Sequence, residues 1–165
     1  MNASSAPPSA AGSPARRAWM AVLARTSRAE LETALARALG GAPAPAYDWL
    51  RPPQTGLAMV RGRVGGTGNA FNLGEATVTR ATLRLRAHDG EAATVGVACH
   101  LGRDKRRAEL AALADALLQQ PARHAQLHAE LIAPLAQRLA AQRAERRDEA
   151  ASTKVEFFTM VRGDA

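Results

Sequence analysis

The stretch EATVTRATLRLRAHDGEAATVGVACHLGRDKRRAELAALADALLQQ, residues 75–120, decides the fold. Its first part alternates, with Ala81, Leu83 and Leu85 on one side and Arg80, Thr82, Arg84 and Arg86 on the other, the period of a strand with one face in a core. Asp89-Gly90 signals a tight turn, and residues 93–101 return as a second strand expected to place Val95, Val97 and Cys99 inward. Asp104 then offers an N-cap. Leu110, Leu113, Ala114, Leu117 and Leu118 recur at the spacing of one helical face, and Pro121 stops the helix. Antiparallel strands followed by helices predict an α+β domain: an antiparallel sheet of three or four strands with helices packed on one side.

Upstream, residues 1–14 are Ala, Ser, Pro and Gly with hardly a bulky apolar side chain, a composition that cannot repay its ordering entropy, so a disordered tail is expected before a single domain over 15–165. A short helix is predicted from Arg16 to Leu23. Ser27 with Glu30 three residues on makes a capping box for ELETALARAL, ended by Gly40 and Gly41. The prolines of GAPAPAYDWLRPP predict an extended loop, and TGLAMVRGRV (55–64) a strand. Downstream, Leu127, Leu131, Leu135 and Leu139 mark a helical region that Pro134 should kink or restart. The closing VEFFTMV (155–161) is β-branched and aromatic, fit for a fourth strand or a partner-binding segment.

The 165 residues suffice for one core. There is no long apolar run and no charged start backed by a hydrophobic stretch, so no membrane span or secretory signal is read and a cytoplasmic location is expected. Cys99 is the only cysteine, excluding an internal disulfide framework and a multi-thiolate zinc site; a small buried apolar role is expected for it. The net charge of +7, mostly arginine, fits phosphorylated ligands, nucleic acid or acidic protein surfaces alike.

Between the first two strands, VRGRVGGTGNAFNLGEATVTR (60–80) sets Arg61, Arg63, Gly65, Gly66, Thr67, Gly68, Gly74 and Arg80 close together. No Lys-Ser/Thr follows the glycines and Phe71 stands where a dinucleotide fingerprint needs its third glycine, so neither nucleotide motif is present. A turn requiring positive φ is the simplest reading. An anion nest flanked by Arg61 and Arg63, two apart and so on one side of a strand, is the other. His124 and His128 lie at i, i+4 but lack a third ligand; Glu130 lacks a partner, and no Ser-His-Asp or Cys-His set assembles. The tripeptide Arg162–Asp164 resembles an adhesion motif by coincidence. Few aromatics and no RNP-like or zinc-finger pattern leave a nucleic-acid-binding basic module as a weaker alternative.

Taken together, RAWMAVLARTSRAEL, QTGLAMVRGRVGGTGNAFNLGEATVTRA, LGRDKRRAELAALADALLQQ and VEFFTMVRGD resemble the PhnG family, the G subunits of the bacterial carbon–phosphorus lyase core complex, from Arg16 to the C-terminus. The resemblance implies an accessory, not independently catalytic, subunit in phosphonate catabolism. It would be required for making ribose 1-methylphosphonate 5-triphosphate from ATP and methylphosphonate with release of adenine. It implies H, I and J subunits as partners, the I subunit most directly, with an iron–sulfur cluster and S-adenosylmethionine in the J subunit and no cofactor on this chain. With it, the glycine loop with Arg61, Arg63 and Arg80 is expected to serve substrate or interface. Arg103 and Lys105 are expected as anion contacts, and Phe157, Phe158, Met160 and Arg162 as a partner interface.

Overall fold

The computed structural model describes residues 14–86 and 93–153. In chain order these form α1 (Pro14–Leu23), α2 (Arg28–Ala38), β1 (Tyr47–Arg63), β2 (Ala70–Leu85), β3 (Val95–Leu101), α3 (Lys105–Leu118), α4 (Pro121–Leu127) and α5 (Ala133–Ser152). The strands make one antiparallel sheet in the order β1-β2-β3. The tail, the Asp89-Gly90 turn and the C-terminal run with Phe157, Phe158, Met160 and Arg162 lie outside the described residues.

Ala81, Leu83 and Leu85 of β2 are buried, as their alternation requires, and α3 lies across them. The phase of β3 is opposite to the expectation. Gly96, Ala98 and His100 face the helix, while Val95 and Cys99 are exposed and Val97 half-buried. The physical reason is close approach. A Cβ at Gly96 would collide with the carbonyl oxygen of Ala112 and with Ala116, so only glycine lets α3 rest on the strand backbone. The same closeness makes α3 a central helix rather than an amphipathic one. From Ala108 to Leu118 every side chain except the half-buried Glu109 is buried, because α1, α2, α4 and the sheet surround it.

Local signals account for the helix ends. Ser27 and Glu30 form the reciprocal capping box of α2, Asp104 accepts from the Arg107 amide at the start of α3, and Pro121 opens α4. Pro134 sits in the first turn of α5, after a five-residue π turn at His128–Ile132 that absorbs the kink. Helix α1 begins at Pro14, two residues before the expected start and within the stretch read as tail.

Tyr47–Pro53, read from its prolines as a loop, is strand. Tyr47, Asp48 and Trp49 pair with Leu85, Arg84 and Leu83, and register shifts either side of Arg51 accommodate Pro52 and Pro53 on this edge strand.

Candidate functional site

The feature that outgrows the core is the β1–β2 ribbon. Residues 79, 81, 83 and 85 of β2 are all buried on one face, and Thr79 marks the end of that face, its hydroxyl within 3.1 Å of the Thr55 hydroxyl and donating to the Gly102 carbonyl at 2.7 Å. Past it, among the described residues, no helix covers the same face. Thr77 pairs with Leu57 and Glu75 with Met59, leaving Leu57 at 64% and Met59 at 52% exposure. At about 3.3 Å per residue, the steps from Thr77 to Ala70 carry the ribbon roughly 23 Å beyond the core. Val60, Val64, Phe71 and Leu73 are also exposed along it. Leu57 and Met59 lie on one face, while Phe71, paired with Gly62, and Leu73, lying over Gly62, lie on the other. The ribbon thus exposes apolar side chains on both faces, and exposed apolar surface of this kind marks an interaction site.

The glycine loop is the tip of this ribbon and is shorter than its sequence suggests, because β2 begins at Ala70. Gly65 and Gly66, at φ +59° and +80°, turn the chain through a 3₁₀ turn, Thr67 ends it, and the Gly68 amide donates to the Val64 carbonyl at 3.0 Å. Gly74 is not in the turn. It sits in β2 at φ +150°, opposite Val60, where a register shift between Val60 and Arg61 bends the ribbon. Leu73 then lies over Gly62, where a Cβ would come within 2.7 Å of its side chain.

Arg61 and Arg63 do share one side, as their spacing requires, lining a shallow depression with Gly62, Gly66 and Ala70. Arg63 Nη1 donates to the Gly68 carbonyl at 2.9 Å, so this guanidinium braces its own turn. Arg80 is elsewhere, in the sheet proper between Gln54 and Cys99. Arg103 and Lys105 stand at the start of α3, next to Gly102, whose amide bonds the Thr77 carbonyl at the ribbon's base. The structure therefore separates the expected anion contacts into three places: tip, sheet and helix start.

Among the described residues no group of three or more His, Cys, Asp or Glu is placed to hold a metal. His124 Nδ1 is 2.7 Å from the Leu118 carbonyl, and its ring lies against Trp19 and His128. Among the described residues no helix is long and apolar enough to cross a membrane.

Sequence reasoning missed the buried polar centre. Asp115, fully buried on α3, accepts from Arg16 Nε at 3.1 Å and Nη2 at 2.7 Å, from Trp19 Nε1 at 2.8 Å and from the Val97 amide at 2.9 Å. A lone acid inside an Ala/Leu helix was the available signal, with Arg16 and Trp19 one turn apart on α1 as its partners. This cluster binds α1 and α3 to β3. It is structural in form, since its carboxylate is consumed by these four donors and by Gln119 Nε2 at 3.4 Å.

Over residues 14–163 the chain matches the family described as phosphonate metabolism protein PhnG. It is 49% identical over 154 residues, 93% of each chain, to a protein of Rhizobium meliloti (strain 1021) named alpha-D-ribose 1-methylphosphonate 5-triphosphate synthase subunit PhnG.

Proposed function

The chain belongs to the PhnG family, and from that membership we propose that it acts as an accessory subunit of a ribose 1-methylphosphonate 5-triphosphate synthase in phosphonate catabolism. The observation that carries the accessory role is the bare β1–β2 ribbon. Leu57, Met59, Phe71 and Leu73 are held out from the core on a paired backbone, which suits a docking arm and contributes little to the monomer's own burial. The arginines at its tip add positive charge to the same arm, so an acidic or phosphate-bearing surface on the partner complements it.

The partners in this reading are the H, I and J subunits, with the ribbon directed to the I subunit. ATP and methylphosphonate are substrates of the assembled complex, in the cytoplasm. Iron–sulfur and S-adenosylmethionine chemistry belongs to the J subunit. No residue of this chain is assigned a bond-making role; it positions and completes.

The test is co-purification with the cognate I subunit, followed by adenine release from ATP with and without methylphosphonate. A stable complex whose phosphonate-dependent adenine release needs both chains is expected. Leu57→Ser with Met59→Ser should abolish co-purification while the chain stays folded. A chain that purifies alone and changes nothing in the assay would overturn the reading, and salt-dependent binding to nucleic acid would then be the property to measure.

A further inference from the structure

The outer edge of β3 is only half covered. The Thr94 carbonyl and the Gly102 amide bond to Leu85 and Thr77 of β2, each at 2.9 Å, so the even-numbered residues of this strand turn their backbone groups toward β2. Odd-numbered residues therefore turn theirs outward. At one end that outward edge is closed. The Val95 carbonyl accepts from Gln119 Nε2 at 2.8 Å and Arg16 Nη2 at 3.3 Å, and the Val97 amide donates to Asp115. At Cys99 it is open: its outward N–H and C=O have no hydrogen-bond partner among the described residues, its side chain is exposed, and Leu101 beyond it is 69% exposed. Alongside runs an apolar cleft of ≈ 230 Å³ between α1 and this edge, lined by Met20, Leu23, Ala24, Val97, Cys99 and Ala111.

Open backbone groups beside an apolar slot are what an added strand requires: ladder bonds to the edge and pockets for alternate side chains. We propose that residues 155–161, VEFFTMV, form a fourth strand on this edge, antiparallel to β3, with a phenylalanine of the segment in the cleft. The path of the chain selects this occupant. Leu139, Arg143 and Arg146 of α5 share a depression with Arg25 and Leu101, so α5 passes the open end of the edge. An ion pair of Arg138 with Glu30 at 3.0 Å holds α5 there. From Arg146 to the end of α5 is roughly 10 Å of helix. An extended run over 155–161 spans about 23 Å, ample to turn back and enter from the Leu101 side. The segment's Val, Phe, Phe, Met and Val suit a strand covered on both faces. On this assignment Phe157 and Phe158, on opposite faces of the strand, pack on the chain's own domain, one of them in the cleft, rather than on a partner, independently of the subunit reading above.

Cys99, the sole cysteine, reports on the site directly. In the isolated full chain, its alkylation by iodoacetamide is expected to be roughly tenfold slower or more than in the variant Phe157→Asp with Phe158→Asp, because the thiol is then reached only by local opening. Circular dichroism checks that both are folded. In addition, Glu156→Cys and Thr159→Cys, which sample the two faces of the segment and keep its apolar anchors, are oxidised one at a time. A disulfide to Cys99 within one chain, in either variant, supports the assignment. Equal alkylation rates with no disulfide, or a disulfide found only between two chains, overturns it.

Discussion

Replacing Asp115 by alanine removes the acceptor on which α1, α3 and β3 converge, and its cost follows from the geometry. The Arg16 side chain is 9% exposed and that of Asp115 fully buried, so the pair is a desolvated one. Removing one partner of such a pair typically costs about 3–5 kcal/mol, because the remaining charge stays in a low-dielectric site. The Trp19 indole N–H and the Val97 amide also lose their acceptor, each at a penalty of about 1–3 kcal/mol where no water replaces it. Taking only the lower figure for the ion pair, a domain of this size should melt roughly 6–12 °C lower. The assay is urea denaturation with the thermal midpoint in parallel, and hydrogen exchange at the Val97 amide should accelerate in step. Asp115→Asn keeps one acceptor oxygen and should fall between. Changing Arg16→Met together with Asp115→Leu removes both charges and should recover part of the loss, with the orphaned Trp19 and Val97 donors holding it below wild type. A loss under about 1 kcal/mol for Asp115→Ala would refute the reasoning, since an acid so placed would then not be holding the three elements together.

Gly96→Ala should be among the most damaging small substitutions, since the new methyl meets the backbone of α3 rather than a movable side chain; loss of at least about 3 kcal/mol or of soluble protein is expected in denaturant unfolding. Ser27→Ala should cost about 1 kcal/mol by removing the cap of α2. The hydrogen bonds from the Ser27 hydroxyl and amide hold the Glu30 carboxyl below its ordinary value of 4.5. That increment is therefore present above pH 4.5 and disappears as the pH falls through the lowered value, so the gap between wild type and Ser27→Ala should close in acid. Tyr47, the only tyrosine, is pushed up to about 12 by burial and by the Glu109 carboxylate its hydroxyl bonds at 2.7 Å. Its tyrosinate absorbance should rise near pH 12 rather than 10, and the stability it contributes should be whole below pH 10 and lost between the two; Tyr47→Phe should flatten that fall. Arg63→Ala should leave the unfolding free energy within about 0.5 kcal/mol, the guanidinium being exposed, yet lower the yield or turnover of the complex with the I subunit; unchanged yield and rate would remove any role for the ribbon tip.

Local patterns in the chain were enough for the α+β class, the capping box at Ser27, the cap at Asp104, the restart at Pro134 and the inward set Ala81, Leu83 and Leu85. Each rests on interactions within a few residues, where periodicity and caps act directly. The long matched motifs also carried the family, since matches of this kind are read without coordinates.

Other features depended on contacts distant in sequence. The phase of β3 went wrong because Val95, Val97 and Cys99 look more apolar than Gly96, Ala98 and His100, while the helix lying on the sheet demands the smaller set. Tyr47–Pro53 joined β1 because an edge strand tolerates prolines that a central one would not. Asp115 found Arg16 nearly a hundred positions away. The glycine loop, read alone, was either a turn or an anion cradle; the structure makes it the tip of a ribbon whose Arg63 serves its own backbone. Sequence alone determined most of this protein's elements and its kinship, because those follow from local chemistry and from matched motifs. Which face each element buries, which charge is paired and which apolar strip is left bare were decided only in the tertiary structure, because burial belongs to pairs of elements and not to either one.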